Sequence, residues 1–248
     1  LAGSPGMTGA AVLCANAALH AGAGLITVHV ERDFPKYLVS AMPPEVMVKA
    51  SDDPVSEAFS AKHDALVIGP GTGNCSEGYH QSLMEHLAGD TRPLLLDADA
   101  LNRISQAGRL DLLKASHVVT PHPGEFARLA PDLAKRDRTE ACREFVTRYP
   151  CTLLLKGSRT LVAYGGEPVH FNPTGHAGMA SGGQGDTLAG VIGTLLAQGL
   201  QATDAASLGA WLCGRAAERT LADGPIATAS DTIRHLGEAM RDWRERRR

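Results

Sequence analysis

The chain has 248 residues, 44% hydrophobic and 21% charged, enough to bury a core without disulfides or a structural metal, and its 27 glycines follow no period, which excludes disorder and collagen-like repeats. Lys and Arg number 24 against 27 Asp and Glu, a net charge of -3 that offers no electrostatic footprint for nucleic acid or an anionic membrane surface. The 5 cysteines are scattered and never spaced as CxxC, which argues against a disulfide framework or zinc site and fits a reducing cytoplasm.

Leu1-Ala2-Gly3 reads as the end of a buried strand, so a segment upstream of this sequence is expected. An alanine-rich helix over 8–20 follows, with small residues suited to close packing on a neighbouring subunit. Short apolar runs at 25–30, 45–48, 65–68, 94–96, 117–120 and 152–155 then alternate with amphipathic stretches, the pattern of a parallel α/β sheet. Three of these runs end in polar or glycine-rich turns, Gly69-Pro70-Gly71-Thr72-Gly73, Asp97-Ala98-Asp99 and Thr120-Pro121-His122-Pro123-Gly124-Glu125. Ligands of open α/β sheets bind at such carboxyl ends. Asp97 and Asp99 are expected to cap the helix that follows them.

Beyond Lys156, runs at 160–164 and 168–171 flank Gly165-Gly166-Glu167-Pro168, a hairpin that makes the sheet mixed at that edge. Helices are expected at about 186–198, 203–221 with a Thr/Asp start, and 230–244, where Ile233, Leu236, Met240 and Trp243 are spaced as a core face. The tail Arg244-Glu245-Arg246-Arg247-Arg248 reads as a solvated helix end. With no internal repeat or linker, the expectation is one domain over 1–248, and no apolar run reaches the ~18 residues of a membrane span.

The strongest chemical signal is Asn172-Pro173-Thr174-Gly175-His176-Ala177-Gly178-Met179-Ala180-Ser181-Gly182-Gly183-Gln184-Gly185-Asp186, followed at once by an apolar helix. Glycines let backbone approach a ligand closely, and a helix start aims free N–H groups at it, so the loop suits an anion. No GxxxxGK[ST] or GxGxxG pattern is present, which sets aside P-loop and standard dinucleotide sites. Asp186 beside such a nest is either a helix cap or a general base, and the base reading suits phosphoryl transfer to an alcohol. Lys156, Gly157, Ser158, Arg159 and Thr160 at a strand end are either an exposed turn or donors for a nucleotide.

Together with Gly9-Ala10-Ala11, Ala21-Gly22-Ala23-Gly24-Leu25 and Ala100-Leu101-Asn102, these motifs resemble, in order over nearly the whole chain, the ADP/ATP-dependent NAD(P)H-hydrate dehydratases of the ribokinase-like superfamily. Met7, where an aromatic residue is common, and His176-Ala177, in place of Asn-Pro, depart from the family pattern. The resemblance implies a three-layer α/β sandwich with a mostly parallel central sheet and helices on both faces. It also implies repair of NADH and NADPH hydrated at C6, by phosphorylation of the C6 hydroxyl and loss of phosphate.

By similarity, Ala10, Gly73, His122 and Asp186 face the hydrated dinucleotide, with Asp186 as the base. Lys156, Gly157, Ser158, Arg159, Thr160 and Gly185 face ADP or ATP, ADP being the expected donor. Glu125 and Asn102 would order a water-bridged Mg²⁺, with no direct protein ligand set. A homotetramer and an epimerase domain upstream, or as a partner, are further expectations. Two other readings are a vitamin kinase that releases a phosphorylated heterocyclic alcohol such as hydroxyethylthiazole, and a non-catalytic nucleotide sensor, for which a carboxylate at the nest would be a handicap.

Overall fold

The computed structural model describes residues 1–246. Arg247 and Arg248 of the basic tail lie outside them. Helix α1 (Thr8–His20) leads into β1 (Ile26–Glu31), α2 (Pro35–Leu38), β2 (Val46–Ser51), α3 (Pro54–Ser60), β3 (Leu66–Ile68), α4 (Glu77–Gly89), β4 (Leu94–Leu96), α5 (Ala98–Gln106) and β5 (His117–Val119). Then come α6 (Pro123–Leu129), α7 (Arg138–Arg148), β6 (Thr152–Leu155), β7 (Leu161–Ala163), β8 (His170–Phe171), α8 (Gln184–Ala197), α9 (Ala202–Arg219), α10 (Ala229–Arg234) and α11 (Leu236–Glu245).

Strands β3 to β8 lie side by side in chain order, parallel from β3 to β6 and antiparallel through β7 and β8. Their period-two alternation sorts the core into two layers. Leu94, Leu96, Val119, Leu153 and Leu155 point to one face, where Val55, Leu83, Leu101, Phe126 and Phe145 of α3 to α7 cover them. Leu95, Val118, Leu154 and Val162 point to the other, against α1, α8, α9 and α11. The expected three-layer sandwich with a mostly parallel sheet is the result.

Three features depart from the sequence reading. The strands β1 and β2 pair in parallel with each other and form a separate two-stranded sheet. Between the sheets, the Leu1 amino group donates to the Val67 carbonyl at 2.9 Å, beside an apolar cavity of about 140 Å³ lined by Val28, Leu66 and Val67. The small residues of α1, expected on a subunit contact, are used inside the chain. A side-chain carbon at Gly190 of α8 would stand 2.1 Å from the Cys14 carbonyl, so the two helices approach as closely as backbones allow. Finally, the helix expected over 230–244 is two, because His235 leaves helical geometry (φ -94, ψ 3) between them. Ile233 and Leu236 are nonetheless buried and Met240 and Trp243 pack on the same core, so the apolar face persists across the break.

No helix of the described residues is long and apolar enough to cross a membrane. All five cysteines are free thiols.

Candidate active site

Each strand from β3 to β6 delivers its following loop to the same edge of the sheet. Asp97 follows β4 and Lys156 follows β6, and the Lys156 ammonium donates to Asp97 Oδ1 at 2.8 Å and lies 3.8 Å from Glu125 Oε2. Thr120 Oγ1 donates to the same Asp97 oxygen at 2.8 Å. Asp97 occupies the N-cap position of α5, yet its side chain makes no capping bond, contrary to the expectation. A carboxylate only 2% exposed gains more from an adjacent ammonium than from a helix N–H. Asp99 does not cap either; it accepts from Asn102 Nδ2 at 3.3 Å. Ala98, held between them at φ 46, is the one non-glycine residue with a positive φ among the described residues, so local strain is stored at this strand end.

Burial alone would lower the Lys156 pKa. The charges of Asp97, Glu125 and Asp186 outweigh it and hold the ammonium above its ordinary 10.5. Deleting that charge leaves a buried carboxylate unpaired. Lys156→Met is therefore expected to cost about 3–5 kcal/mol in urea unfolding, and Lys156→Met combined with Asp97→Asn to recover most of it. Equal losses in the single and double variants would show that the pair contributes nothing beyond packing.

Helix α8 begins beyond Gly183, whose left-handed backbone (φ 87) turns the chain so that the helix start faces Lys156. A side-chain carbon there would also displace Leu13 Cδ1, 2.4 Å away, and press on Ala229 Cβ at 3.0 Å, so any other residue would be strained. The first-turn N–H groups of Gln184, Gly185 and Asp186 have no partners within the helix. At Gly185 an added carbon would stand 3.4 Å from Lys156 Nζ and 3.8 Å from Asp97 Oδ2, which brings nest and ion pair into one patch. Burial first, and then the neighbouring charge of Asp97, raise the Asp186 carboxyl from 3.8 to about 6.

A cleft of about 800 Å³ opens from this patch, with Lys156, Gly157, Ser158 and Thr160 on one wall and Gln184, Gly185 and Leu188 on the other. Arg138 of α7 pins the first wall by donating to the carbonyls of Lys156 (3.4 Å) and Arg159 (3.3 Å). Arg159 itself is not part of the cleft lining. The glycine-rich loop is anchored on α9: Glu218 accepts the Gly175 N–H at 2.9 Å, and the His176 ring bridges the Gly178 N–H and the Ala217 carbonyl. Arg138 and Glu218 escape a sequence reading because both bind backbone atoms, which carry no residue signature.

On the opposite side of the patch, the Gly71 turn presses on Ala10, to whose Cβ an added carbon would come within 2.8 Å. Gly73 lies against the Asp99 carboxylate in the same way, at 3.0 Å. The half-exposed His122 caps α6: Nδ1 accepts the N–H groups of Gly124 and Glu125, while Glu125 Oε2 accepts the His122 N–H at 2.8 Å. An accepting Nδ1 places the ring proton on Nε2, 3.4 Å from Glu125 Oε1.

Asn102 and Glu125, expected to share a metal's water shell, are engaged apart, since Asn102 Oδ1 accepts from Arg128 Nε at 3.0 Å. Among the described residues no three His, Cys, Asp or Glu side chains are grouped to hold a metal ion. With Lys156 already against both Asp97 and Glu125, a divalent cation fits only as one carried by phosphates, with water between it and these carboxylates.

The model of the NAD(P)H-hydrate dehydratase family matches residues 1–238. The ADP-dependent (S)-NAD(P)H-hydrate dehydratase of Neisseria meningitidis serogroup B is 40% identical over 225 residues, covering 87% of this chain and 74% of that protein. The bifunctional NAD(P)H-hydrate repair enzyme Nnr of Moorella thermoacetica is 40% identical over 233 residues, and the chain spans 43% of its length, matched by 87% of this chain. A solved ADP/ATP-dependent NAD(P)H-hydrate dehydratase from Bacillus subtilis, co-crystallised with ATP/Mg²⁺, superposes with a TM-score of 0.81 at 27% identity, over 98% of this chain and 87% of that one. The architecture is the ribokinase-like one expected. With its strand-end loops converging on Lys156 and the start of α8, and a family match running nearly end to end, the chain belongs to the NAD(P)H-hydrate dehydratase family.

Proposed function

We propose that the chain restores hydrated NADH and NADPH, using ADP or ATP to phosphorylate the C6 hydroxyl and then releasing phosphate. One observation carries this reading: Asp186 stands in the first turn of a helix whose free N–H groups face the largely buried Lys156 ammonium, where burial pushes its carboxyl up to about 6.

Asp186 takes the proton of the C6 hydroxyl. The oxygen attacks the terminal phosphorus of the nucleotide in the cleft, and the bond to the bridging oxygen breaks. The N–H groups of Gln184, Gly185 and Asp186 and the charge of Lys156 receive the developing negative charge. Phosphate is then expelled from C6 by the ring nitrogen lone pair, and loss of a proton from C5 gives the dihydropyridine. Mg²⁺ would supply neutralising charge on the phosphates, with Asp97 and Glu125 holding its waters. Ala10, Gly73 and His122 line the side where the dinucleotide enters. A hydrate of the other configuration at C6 must first be epimerised, so an epimerase is the partner this reaction requires, and the reducing cytoplasm is where free thiols and dinucleotides coexist.

Incubation with hydrated NADH and either ADP or ATP tests the reading. NADH absorbance should return in step with inorganic phosphate. A stable phosphate ester without NADH would make the chain a kinase.

His122 is expected to act twice, as cap and as ring. His122→Ala should lower stability by about 1 kcal/mol and weaken hydrated NADH. His122→Asn restores an N-cap acceptor, so stability should return while the KM defect stays. A KM that recovers with the cap would reduce His122 to a structural role.

A further inference from the structure

Beside Gly73 lies a further cavity, of about 410 Å³, lined by Gly73, Asp99, Asn102, Arg103, Gln106 and Arg128. None of the steps above uses it, and its donor set is not that of a generic surface cleft. Arg128 belongs to α6 and leans over Gly124, where an added carbon would come within 3.9 Å of its Nη1. Its Nε donates to the neutral Asn102 amide at 3.0 Å, and Asn102 is itself fixed by Asp99. Among the described residues no carboxylate is in ion-pair range of Arg128, whereas Arg103, the other arginine of this cavity, reaches Glu77 at 3.4 Å, so the Arg128 Nη groups form the guanidinium edge here that has no acidic partner.

A guanidinium edge held in place by a neutral amide is shaped for two oxygens of a phosphate. Asp99 supplies the complement, a carboxylate that accepts hydroxyls. Phosphate oxygens and ribose hydroxyls occur together in the sugar-phosphate part of a nucleotide. The geometry points to this cavity as the subsite for a phosphate of the hydrated dinucleotide, with Arg128 as its anchor and Asp99 on an adjoining ribose. The inference rests on the proposed reaction, because Gly73 links the cavity to the dinucleotide side of the site. It assigns Arg128 to binding, away from the reacting C6.

The phosphate is either in the pyrophosphate bridge or at the 2′ position, and three substrates distinguish these: hydrated NADPH, hydrated NADH and the hydrated dihydronicotinamide riboside, which has no phosphate. Arg128→Ala should raise KM about tenfold or more for the phosphorylated substrates while kcat changes little, and leave the riboside's kcat/KM as in the parent protein. A penalty shared by NADH and NADPH hydrates assigns the pyrophosphate; one confined to the NADPH hydrate assigns the 2′-phosphate. Arg128→Lys should recover only part of the loss, because an ammonium cannot make the paired contact. Unchanged KM for both dinucleotides, or an equal loss for the riboside, overturns the subsite while the reaction stands. A parent protein inert toward all three hydrates overturns the reaction and the subsite together.

Discussion

Asp186→Asn is expected to lower kcat by about 10²-fold or more and, at neutral to alkaline pH, to make the fold more stable. The two effects have one origin. Asp186 is held at about 6 in the folded chain, against an ordinary 3.8, because burial and the charge of Asp97 oppose its ionisation. Below 3.8 the carboxyl is protonated in both folded and unfolded chains and costs nothing. Between 3.8 and about 6 the folded chain binds the extra proton, so stability falls as pH rises through this window, and above it the full cost of the charge is present. That cost is at most about 3 kcal/mol at pH 7, less whatever solvent entering the open cleft returns. Asn keeps the shape without the charge. Its melting temperature should exceed that of the parent by several degrees at about pH 8, and the gap should close as pH approaches 4. In the parent, kcat/KM should fall on the acid side with a midpoint near 6, where the base takes up its proton. A less stable Asn variant, with an acid limb near 4, would make Asp186 an ordinary helix-start carboxylate.

The strand-end architecture is legible in the sequence because short β-rich runs such as 94–96 and 152–155 leave little choice of structure, and their loops then share one edge by the rule of parallel sheets. What stays hidden depends on partners remote in the chain. Asp97 satisfies the pattern of a helix cap, and only Lys156, 59 positions later, decides that it forms an ion pair. The small residues of α1 have the same composition whether they meet a second subunit or Gly190 of their own chain, so the sequence alone does not choose between them. The break at His235 is invisible for another reason: Ile233, Leu236, Met240 and Trp243 keep helical spacing through it, because α10 and α11 cover one core. Arg128 gives no signal at all, since an exposed arginine on an amphipathic helix is the ordinary case until the cavity beside it is seen.

Gly185→Val should abolish nucleotide binding while leaving the fold intact. The left-handed backbone of this loop is at Gly183, with φ 87, while Gly185 lies inside the first turn of α8. The backbone cost of Val is therefore small, because Gly is itself about 1 kcal/mol worse than Ala in a helix. The effect is instead one of occupied space. The first added carbon lies 3.4 Å from the Lys156 ammonium and 3.8 Å from Asp97, and the two branching methyls must extend from there into the space before the free N–H groups. A phosphate cannot share it. Calorimetric titration with ADP should give no heat for the variant. The parent should be stabilised by about 2.7 kcal/mol when ADP is a hundredfold above its Kd, and the variant by nothing. Gly183→Val is the contrasting change: with Leu13 Cδ1 only 2.4 Å from the added carbon, it should lower stability itself. A Gly185→Val chain that still binds ADP normally would move the phosphates away from the start of α8, and Asp186 would lose its place as the base.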